Sequence, residues 1–272
     1  MKYDFIFCVL CYGNTKDLES YFQNVKKIKG SYKVIVVDSF YSDEVREEMC
    51  RIAEANSADF IPVPNKGYGA GNNAGIKYAK EHYDFKFLAV TNSDIDFLSF
   101  DINEISDMED NIVGPSIVTI NGKKQNPYRP YYLGNIIELL EYWGFKYNSK
   151  LCLYAGVAVN KLLREAFAWW HEKSGTRGRT YSLHGSCVIF GNAALEMLMD
   201  EYRVFDENIF MFCEEMDIAR KARQRGIKLY YVPKLRIRHF EDGSINLAKK
   251  FDEHSEERKS YLYCYEKWSS HN

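Results

Sequence analysis

The sequence has few prolines and no long apolar run. It contains six prolines in 272 residues and no low-complexity linker, so one domain is expected rather than several. Nowhere do about 18 apolar residues follow one another, so no membrane-spanning helix is expected. The first apolar run begins at Phe5, directly after the acidic Asp4, and is short. This pattern predicts no signal peptide.

The cysteines lack the arrangement of a disulfide framework or a zinc site. There are seven, an odd number, and Cys8 and Cys11 form the one C-x-x-C pair, inside an apolar run. No second cysteine or histidine pair has zinc-ligand spacing. We therefore expect reduced core thiols in a cytoplasmic protein, with any membrane contact peripheral and on the inner face.

The chain also lacks a strong excess of charge of either sign. Its formal net charge of -2 gives no electrostatic basis for nucleic acid as a partner. Hydrophobic residues make up 46% of the sequence, which allows a substantial core. Tyrosine is abundant, and its flat apolar face and hydroxyl suit contacts to sugars and nucleobases. Composition leaves the oligomeric state open.

Strand and helix patterns alternate through the first half of the chain. Apolar runs at residues 5–11, 33–38 and 85–91 predict strands, and amphipathic segments separate them. This alternation predicts an α/β fold with a mostly parallel, Rossmann-like sheet flanked by helices. Ligands bind beyond the carboxyl ends of such strands. That rule places three polar segments along one rim: Tyr12–Asn14, Asp38–Ser39 and Asn92–Asp96.

The second half of the sequence is less regular. Strands are predicted at 112–120, 186–190 and 227–232, a turn at Gly191-Asn192, and helices at 193–201 and 214–225. We expect a single domain over 1–246, divided into halves at 1–120 and 121–246. A polar, partly helical tail would follow at 247–272.

The segment Thr91-Asn-Ser-Asp-Ile-Asp96 places carboxylates at the end of an apolar strand. Mg²⁺ and Mn²⁺ prefer such hard oxygen ligands and complete their coordination with substrate oxygens. Asp94 is the natural ligand, with Asp96 or Asn92 close by. The alternative is that these polar side chains merely cap a turn.

A glycine- and asparagine-rich loop runs from Asn65 to Gly75 and leads into a predicted helix. Gly67 and Gly69 permit close backbone approach, and amides at a helix N-terminus favour an anion. The loop does not match a phosphate-binding Walker pattern, so by itself it indicates ligand contact only weakly.

Three carboxylates, Glu214, Glu215 and Asp217, fall at the start of a predicted helix. Negative charge there is favoured by the helix dipole, which is the structural interpretation. The functional interpretation is that one of them deprotonates an acceptor hydroxyl. Packing like charges together can raise one pKa toward working pH.

His239 ends an alternating strand pattern that begins at Lys234. A neutral imidazole in this position is a possible metal ligand. The alternative is a structural histidine.

Taken in order, these segments resemble glycosyltransferase family 2, particularly its bacterial rhamnosyltransferase-like branch. The similarity covers roughly residues 3–245. The stretches that carry it are Val36-Val-Asp-Ser39, Asn65-x-Gly-x-Gly-x-Gly-Asn-Asn-x-Gly75, Asn92-Ser-Asp94, His184-Gly-Ser-Cys-Val-Ile-Phe-Gly191, Phe205-Asp-Glu-x-x-Phe210, Glu214-Glu-x-Asp217-x-x-Arg220 and His239-x-x-x-x-Ser244.

The resemblance implies a GT-A fold and an inverting transfer that uses Mg²⁺ or Mn²⁺. The donor would be a dTDP- or UDP-linked sugar, with rhamnose as the leading candidate and galactofuranose, galactose or glucose as alternatives. The acceptor would be a hydroxyl of a glycan or lipid-linked saccharide in bacterial surface polysaccharide synthesis.

The resemblance also implies a role for each part of the site. Asp94 would coordinate the metal and His239 would be a further metal or phosphate contact, while Gly185 and Ser186 would border the acceptor. The implied nucleotide and donor contacts are Tyr12, Asn14, Asp38, Asn65, Gly67, Gly69, Asn72, Asn73 and Asn92.

Two positions depart from the family pattern. Glu215 stands where the family most often carries the aspartate base of a Glu-Asp pair, so Glu214 or Asp217 could act instead. Asn92 replaces the first aspartate of the common Asp-x-Asp motif, a change that the rhamnosyltransferase-like branch tolerates.

Residues 126–180 are the least family-like and are expected to shape acceptor choice. Trp169 and Trp170, with several tyrosines and arginines, could face a sugar chain or a membrane surface. The alternative is that apolar residues such as Ile137 and Leu140 pack a helix onto the core.

Two other functions fit parts of the pattern. A sugar-phosphate nucleotidyltransferase would need a basic glycine-rich loop directly after the first strand, and Tyr12-Gly-Asn-Thr matches that poorly. A non-catalytic nucleotide-sugar-binding protein on the same fold would explain the missing Glu-Asp pair.

Overall fold

A computed structural model describes residues 2–132, 136–241 and 252–269. Its strands are β1 (Lys2–Cys11), β2 (Tyr32–Ser39), β3 (Asp59–Val63), β4 (Asp84–Asn92), β5 (Ile95–Ser99), β6 (Asn111–Thr119), β7 (Gly178–Thr180), β8 (Cys187–Gly191) and β9 (Lys228–His239). Its helices are α1 (Thr15–Val25), α2 (Asp43–Ala55), α3 (Tyr68–His82), α4 (Ile136–Lys146), α5 (Lys150–Ser174), α6 (Asn192–Leu198), α7 (Glu214–Gln224) and α8 (Glu253–Ser269).

All nine strands belong to one sheet. The main path runs β3-β2-β1-β4-β8-β6-β9-β5, and β7 pairs with β9. Strands β3, β2, β1 and β4 are parallel, whereas β8 runs antiparallel to both β4 and β6. Strand β9 is again parallel to β6. The predicted α/β class is confirmed, and the four adjacent parallel strands come from the first half of the chain.

Burial on both faces explains the continuous apolar runs of the central strands. Phe5 and Phe7 of β1 point into one core cluster, and Ile6 and Cys8 point into the other. Such double-sided burial is typical of parallel strands covered by helices. The first cluster receives the apolar face of α1, including Tyr21. The sheet therefore forms a rigid base for the loops at its edge.

The second half departs from expectation at two places. The predicted turn at Gly191-Asn192 is wrong, because β8 passes directly into α6. A Cβ at Gly191 would lie 2.3 Å from the Glu109 backbone oxygen, so glycine serves close packing there rather than a turn. Residues 126–180 contain a helical hairpin of α4 and the 25-residue α5.

Helix α8 lies within the predicted polar tail and packs on α4 and α7. Tyr261 and Cys264 join a core cluster with Tyr142, Phe145 and Met216. The predicted boundary at 246/247 and Ser244 of the family pattern lie outside the described residues.

In the part of the chain that the structure describes, no helix combines the length and apolar composition needed to cross a membrane. All seven cysteines are free thiols.

Candidate active site

A cavity of about 480 Å³ lies at the carboxyl ends of β1, β2 and β4. Its other walls come from the loop before α3, the loop before β8 and the start of α7. This is the rim at which the sequence predicts ligand binding. The predicted site residues that line the cavity are Tyr12, Asn65, Gly67, Asn92, Asp94, Gly185, Ser186, Glu214, Glu215 and His239.

Asp94 and His239 face each other on one wall of the cavity. Asp94 follows β4, His239 ends β9, and the Asp94 Oδ1 to His239 Nε2 distance is 3.3 Å. Asn92 Nδ2 lies 3.5 Å from the same imidazole nitrogen. Both the Asp94 and His239 side chains are buried. The fold thus brings together two residues that are 145 positions apart in sequence.

A hydrogen-bond chain orients the His239 ring. Gln125 Nε2 donates to Glu241 Oε1 over 2.7 Å, and Gln125 Oε1 lies 2.8 Å from His239 Nδ1. Because a carboxylate only accepts, this arrangement turns the amide oxygen of Gln125 toward His239. Nδ1 is then the protonated nitrogen of the neutral ring. The Nε2 lone pair is left facing Asp94.

This donor set fits a divalent cation. A buried carboxylate beside an imidazole lone pair is a common pair of metal ligands, and the Gln125 contact fixes the ring as ligand-bearing histidines usually require. Among the described residues, no group of three His, Cys, Asp or Glu side chains could hold a metal alone. Asp94 and His239 would therefore need ligand oxygens from a substrate to complete the coordination of Mg²⁺ or Mn²⁺.

The structure does not bring Asp96 into this pair. Asp96 lies on β5 opposite Arg238 of β9, and it is absent from the cavity lining. Asp94 lies in the bend between β4 and β5, whereas Asp96 lies within β5. Asp96 is not positioned as a metal ligand.

Glu214 and Glu215 line the opposite part of the cavity, at the first turn of α7. Glu215 Oε1 accepts a hydrogen bond of 3.1 Å from the Gly185 amide. Glu214 Oε1 is buried and has no hydrogen-bond partner among residues 2–132, 136–241 and 252–269. The two carboxyl groups therefore differ in environment although they are adjacent in sequence.

Burial raises the pKa of both carboxyls. For Glu214, desolvation and then the Glu215 charge raise the pKa well above its ordinary value of 4.5. For Glu215, desolvation also raises the pKa, while backbone amides, including that of Gly185, and the charge of Arg129 oppose it. Glu215 is consequently the member of the pair that loses its proton more readily.

Left-handed backbone precedes the carboxyl pair. Phe212 and Cys213 have φ values of 71° and 72°, a conformation that residues with side chains rarely adopt. Phe212 also lines the cavity. Strained positions of this kind occur preferentially at functional sites, where they aim the following side chains.

Asp217, the third predicted catalytic carboxylate, lies away from the cavity. Its Oδ1 accepts hydrogen bonds from Lys267 Nζ at 2.6 Å and from Trp268 Nε1 at 2.8 Å. Both donors belong to α8. Asp217 lies about one helical turn further along α7 than Glu214, where α8 packs on the helix. Its position indicates a structural role.

Asp38 does not line the cavity itself but precedes Ser39, which does. It is fully buried at the end of β2, and its Oδ2 accepts from Arg46 Nε over 2.6 Å. Desolvation raises its pKa despite the opposing effect of Arg46. Its Oδ1 has no partner in the described part of the chain, so it can still accept a hydrogen bond. Tyr12 packs edge-on against Tyr41 nearby, with ring centroids 5.3 Å apart.

Several predicted donor contacts instead hold the protein together. Asn14 caps α1 by accepting from the Asp17 amide. Asn73 is buried and accepts from the amides of Val204 and Phe205. These contacts use the side chains for internal structure, away from the cavity lining.

Residues of the glycine loop also make internal packing contacts. Gly67 has φ +100°, and a Cβ there would lie 2.3 Å from the Phe210 carbonyl oxygen. A Cβ at Gly69 would lie 2.9 Å from Phe205 Cβ. Asn72 Nδ2 donates to the Tyr68 carbonyl, and its own side-chain oxygen is buried without a partner in the described residues. The glycines therefore serve close packing against the segment before α7.

Trp169 and Trp170 do not reach the cavity. They lie on α5 and are 55% and 62% exposed. The acceptor-side prediction is wrong in placing them there, because the hairpin turns this face of α5 to solvent. Gly185 and Ser186 do line the cavity, and Tyr68 Oη donates to the Gly185 carbonyl over 2.7 Å.

Sequence reasoning missed several cavity residues. His184 is one, and burial lowers its pKa to about 3, which keeps it neutral. Its Nδ1 lies 3.0 Å from Ser186 Oγ. The preserved His184-Gly-Ser stretch was the available signal. Phe210 ends the Phe205-Asp-Glu-x-x-Phe210 stretch, whereas Gln125 and Tyr68 carried no signal, since their roles depend on long-range contacts.

Two curated proteins are similar to the chain in sequence. The low-salt glycan biosynthesis hexosyltransferase Agl10 of Haloferax volcanii is 23% identical over 83% of this chain and 64% of its own length. The rhamnosyltransferase WbbL of Escherichia coli is 22% identical over 93% of this chain and 90% of its own. The chain thus spans somewhat less than two thirds of the hexosyltransferase. No protein-family model matches the chain.

Solved structures agree with the fold. GalNAc-T7, solved with UDP, GalNAc and Mn²⁺, superposes with a TM-score of 0.62 at 14% identity, over all of this chain and 52% of that one. The mannosyltransferase PcManGT of Pyrobaculum calidifontis, in complex with GDP-Man and Mn²⁺, gives 0.54 at 16% identity over 88% of this chain and 57% of its own. The chain is thus similar in sequence to two glycosyltransferases, one of them a rhamnosyltransferase, and it has the GT-A fold of these solved structures.

Proposed function

We propose that the protein is an inverting glycosyltransferase that moves a sugar from a nucleotide diphosphate donor to an acceptor hydroxyl. The observation that carries this proposal is one cavity with two chemically different walls. Asp94 and His239 form a ligand pair on one wall, and Glu214 and Glu215 form a carboxyl pair on another. Group transfer needs both, because charge on the leaving group and the acceptor proton must be handled at once.

Glu215 is proposed as the general base. Its backbone contact to Gly185 and the charge of Arg129 favour the carboxylate, so it can take a proton from an acceptor hydroxyl. Glu214, with the more strongly raised pKa, stays protonated to higher pH. A protonated Glu214 spares Glu215 a second adjacent negative charge. The deprotonated hydroxyl would attack the anomeric carbon from the face opposite the nucleotide, which inverts its configuration.

Asp94 and His239 would hold Mg²⁺ or Mn²⁺, which when bound offsets negative charge on the departing diphosphate. Gln125 keeps the His239 lone pair directed toward that position. Asn92 would contact the donor beside them. The structural neighbours crystallised with Mn²⁺ support divalent metal use in this fold.

The nucleobase is proposed to lie at the end of the cavity near Tyr12 and Asp38. The free Asp38 Oδ1 suits an N–H donor of a pyrimidine base such as uracil or thymine. We propose a dTDP- or UDP-linked donor, with rhamnose or another hexose as the sugar. The acceptor is proposed to be a glycan or lipid-linked saccharide in polysaccharide synthesis in the cytoplasm; the hexosyltransferase, named for glycan biosynthesis, supports the glycan class.

Nucleotide-dependent thermal stabilisation tests the donor site. A nucleoside diphosphate at about 100 times its Kd stabilises the folded state by about 2.7 kcal/mol. We expect such a shift with one pyrimidine nucleotide in the presence of Mn²⁺, and a much smaller one without the metal. Asp94→Asn is expected to lose the Mn²⁺-dependent part. Gln125→Leu, which releases the His239 ring, is expected to weaken Mn²⁺ binding by about 10–100-fold.

Asp43→Asn is the matched control, because Asp43 is an exposed carboxylate on α2, away from the cavity. It should behave as the wild type. Absence of any shift with well-folded protein, or a shift that Asp94→Asn leaves intact, would contradict the proposed donor site.

A further inference from the structure

Helix α5 presents an apolar face to the outside of the protein. Leu151 is 81% exposed and Leu162 is 73% exposed. The residues of this outer face recur every three or four positions, which is the spacing of one side of a helix. They are Leu151, Tyr154, Ala155, Ala158, Leu162, Ala166 and Trp169, and all of them are exposed.

The opposite face of α5 is already fully engaged. Phe167 is buried against Tyr231 of β9, and Gly156 packs closely on Glu141 of α4. Asn160 Nδ2 donates to the Tyr128 carbonyl over 3.0 Å. The orientation of the helix is therefore fixed from within. Its outer face is not a core surface that small movements could bury.

The outer face is long and continuous. From Leu151 to Trp169 it extends for about 27 Å along the helix. Trp170 and Val159 widen it on one side, and Val157 widens it on the other. Exposed apolar surfaces of this extent usually mark contact with a partner or a membrane.

Charges around the outer face are mainly basic. Lys150, Lys161 and Lys173 are exposed on the same helix, and Lys173 Nζ lies 5.0 Å from the Trp169 ring centroid. Of the two acidic residues of α5, Glu172 is paired with Lys124. Glu165 is the remaining one; it is partly exposed, and by helical spacing it lies on the outer face between Leu162 and Trp169.

This charge pattern distinguishes two possible occupants. A second copy of the chain would set these lysines against their own equivalents, with few carboxylates to pair with them. A bilayer with anionic headgroups would attract them. Exposed tryptophan and tyrosine beside lysine also match the composition of helices that lie in a membrane interface.

We infer that the outer face of α5 docks on an anionic lipid surface, with the helix axis parallel to the membrane plane. The apolar side chains would enter the boundary between headgroups and acyl chains, and the lysines would remain among the headgroups. Trp169 and Trp170 thereby have a role outside the cavity.

Helix α5 contacts the cavity wall indirectly, through Tyr128. Asn160 holds Tyr128, and the Tyr128 ring packs against His184, with centroids 6.2 Å apart. His184 lines the cavity beside Gly185. A lipid-linked acceptor would then approach the acceptor side from the membrane. This last step rests on the proposed function, whereas docking itself does not.

Vesicle binding by the full chain tests the inference. The probes are vesicles of phosphatidylcholine alone and of phosphatidylcholine with phosphatidylglycerol, measured by flotation. We expect binding to the anionic vesicles that weakens with added salt, and little binding to the neutral ones. The variant Leu162→Glu with Trp169→Glu is expected to bind at least roughly tenfold more weakly.

Met197→Glu is the matched control, because Met197 is 51% exposed on α6, outside this face. It should bind vesicles as the wild type does. Nucleotide-dependent thermal stabilisation should be unchanged in both variants, which separates loss of docking from loss of folding or of the donor site. The inference is overturned if wild-type protein binds neither vesicle, or if the α5 variant binds equally well. A wild-type dimer that the α5 substitutions dissociate, without vesicle binding, would instead identify a second copy as the occupant.

Discussion

At the scale of single residues, the carboxyl pair illustrates how environment separates two identical side chains. Glu214 and Glu215 are neighbours at the start of α7, and both are largely removed from water. The Gly185 amide contacts only Glu215. This contact and the charge of Arg129 favour the Glu215 carboxylate, whereas desolvation and the Glu215 charge keep the proton on Glu214.

The raised pKa of Glu214 predicts a pH effect on stability. The folded state binds this proton more tightly than the unfolded chain does, because burial and the Glu215 charge disfavour the carboxylate. The resulting stabilisation is complete below the unfolded pKa near 4.5 and is lost as pH rises through the higher folded pKa. Glu214→Gln cannot titrate. Its unfolding free energy, compared with that of the wild type, should therefore rise with pH in that window, by at most about 1.4 kcal/mol per pH unit.

Denaturant unfolding at a series of pH values measures this difference. Glu47→Gln serves as a control, because Glu47 is exposed on α2 and its curve should run parallel to that of the wild type. A Glu214→Gln curve that is also parallel to the wild type would mean that Glu214 titrates normally in the folded protein.

At the scale of elements, α8 is hydrogen-bonded to α7, the helix that carries the carboxyl pair. Asp217 of α7 receives hydrogen bonds from Lys267 and Trp268, and Lys267 also pairs with Asp206. The tail helix thereby braces the helix that carries the carboxyl pair. Its contacts are structural, although Asp217 lies only two residues from Glu215.

Asp217→Asn is expected to loosen α8 without removing the base. Weakening these buried hydrogen bonds should cost about 1–3 kcal/mol of unfolding free energy and make the tail more sensitive to protease. Turnover per folded molecule should stay near the wild-type value. A loss of turnover of about 100-fold or more at unchanged stability, the size of a general-base effect, would instead return Asp217 to a catalytic role.

Elements with simple periodicity could be predicted from the sequence, and others could not. The helix predicted at 214–225 and the strand predicted at 186–190 agree with α7 and β8 to within one residue at each end, because local apolar spacing defines them. Helix α5 was not predicted, since apolar residues occur on both its buried and its exposed faces and obscure the helical period. The exposed apolar residues that form the proposed docking surface are thus also the reason that the sequence did not predict this helix.

At the scale of the whole molecule, the cavity lies where the parallel strands meet the mixed part of the sheet. Order along the chain predicts which strand ends share a rim, so Tyr12, Asn92 and Asp94 could be placed together. It does not specify that the Gln125 and Glu241 side chains meet behind His239, because the segments that carry them are far apart in sequence. The motifs thus indicated residues that line the cavity, whereas the contacts that orient them follow only from the fold.

The central claim is that Glu215 takes the proton from an acceptor hydroxyl, which attacks a donor held in the same cavity. Turnover of Glu215→Gln with a nucleotide sugar and acceptor, beside that of Glu214→Gln, tests it most directly. The account predicts a fall in kcat of about 10²–10⁴ for Glu215→Gln, with nucleotide-dependent stabilisation retained, and a much smaller fall for Glu214→Gln. Unchanged turnover of Glu215→Gln, or the larger loss in Glu214→Gln, would contradict it.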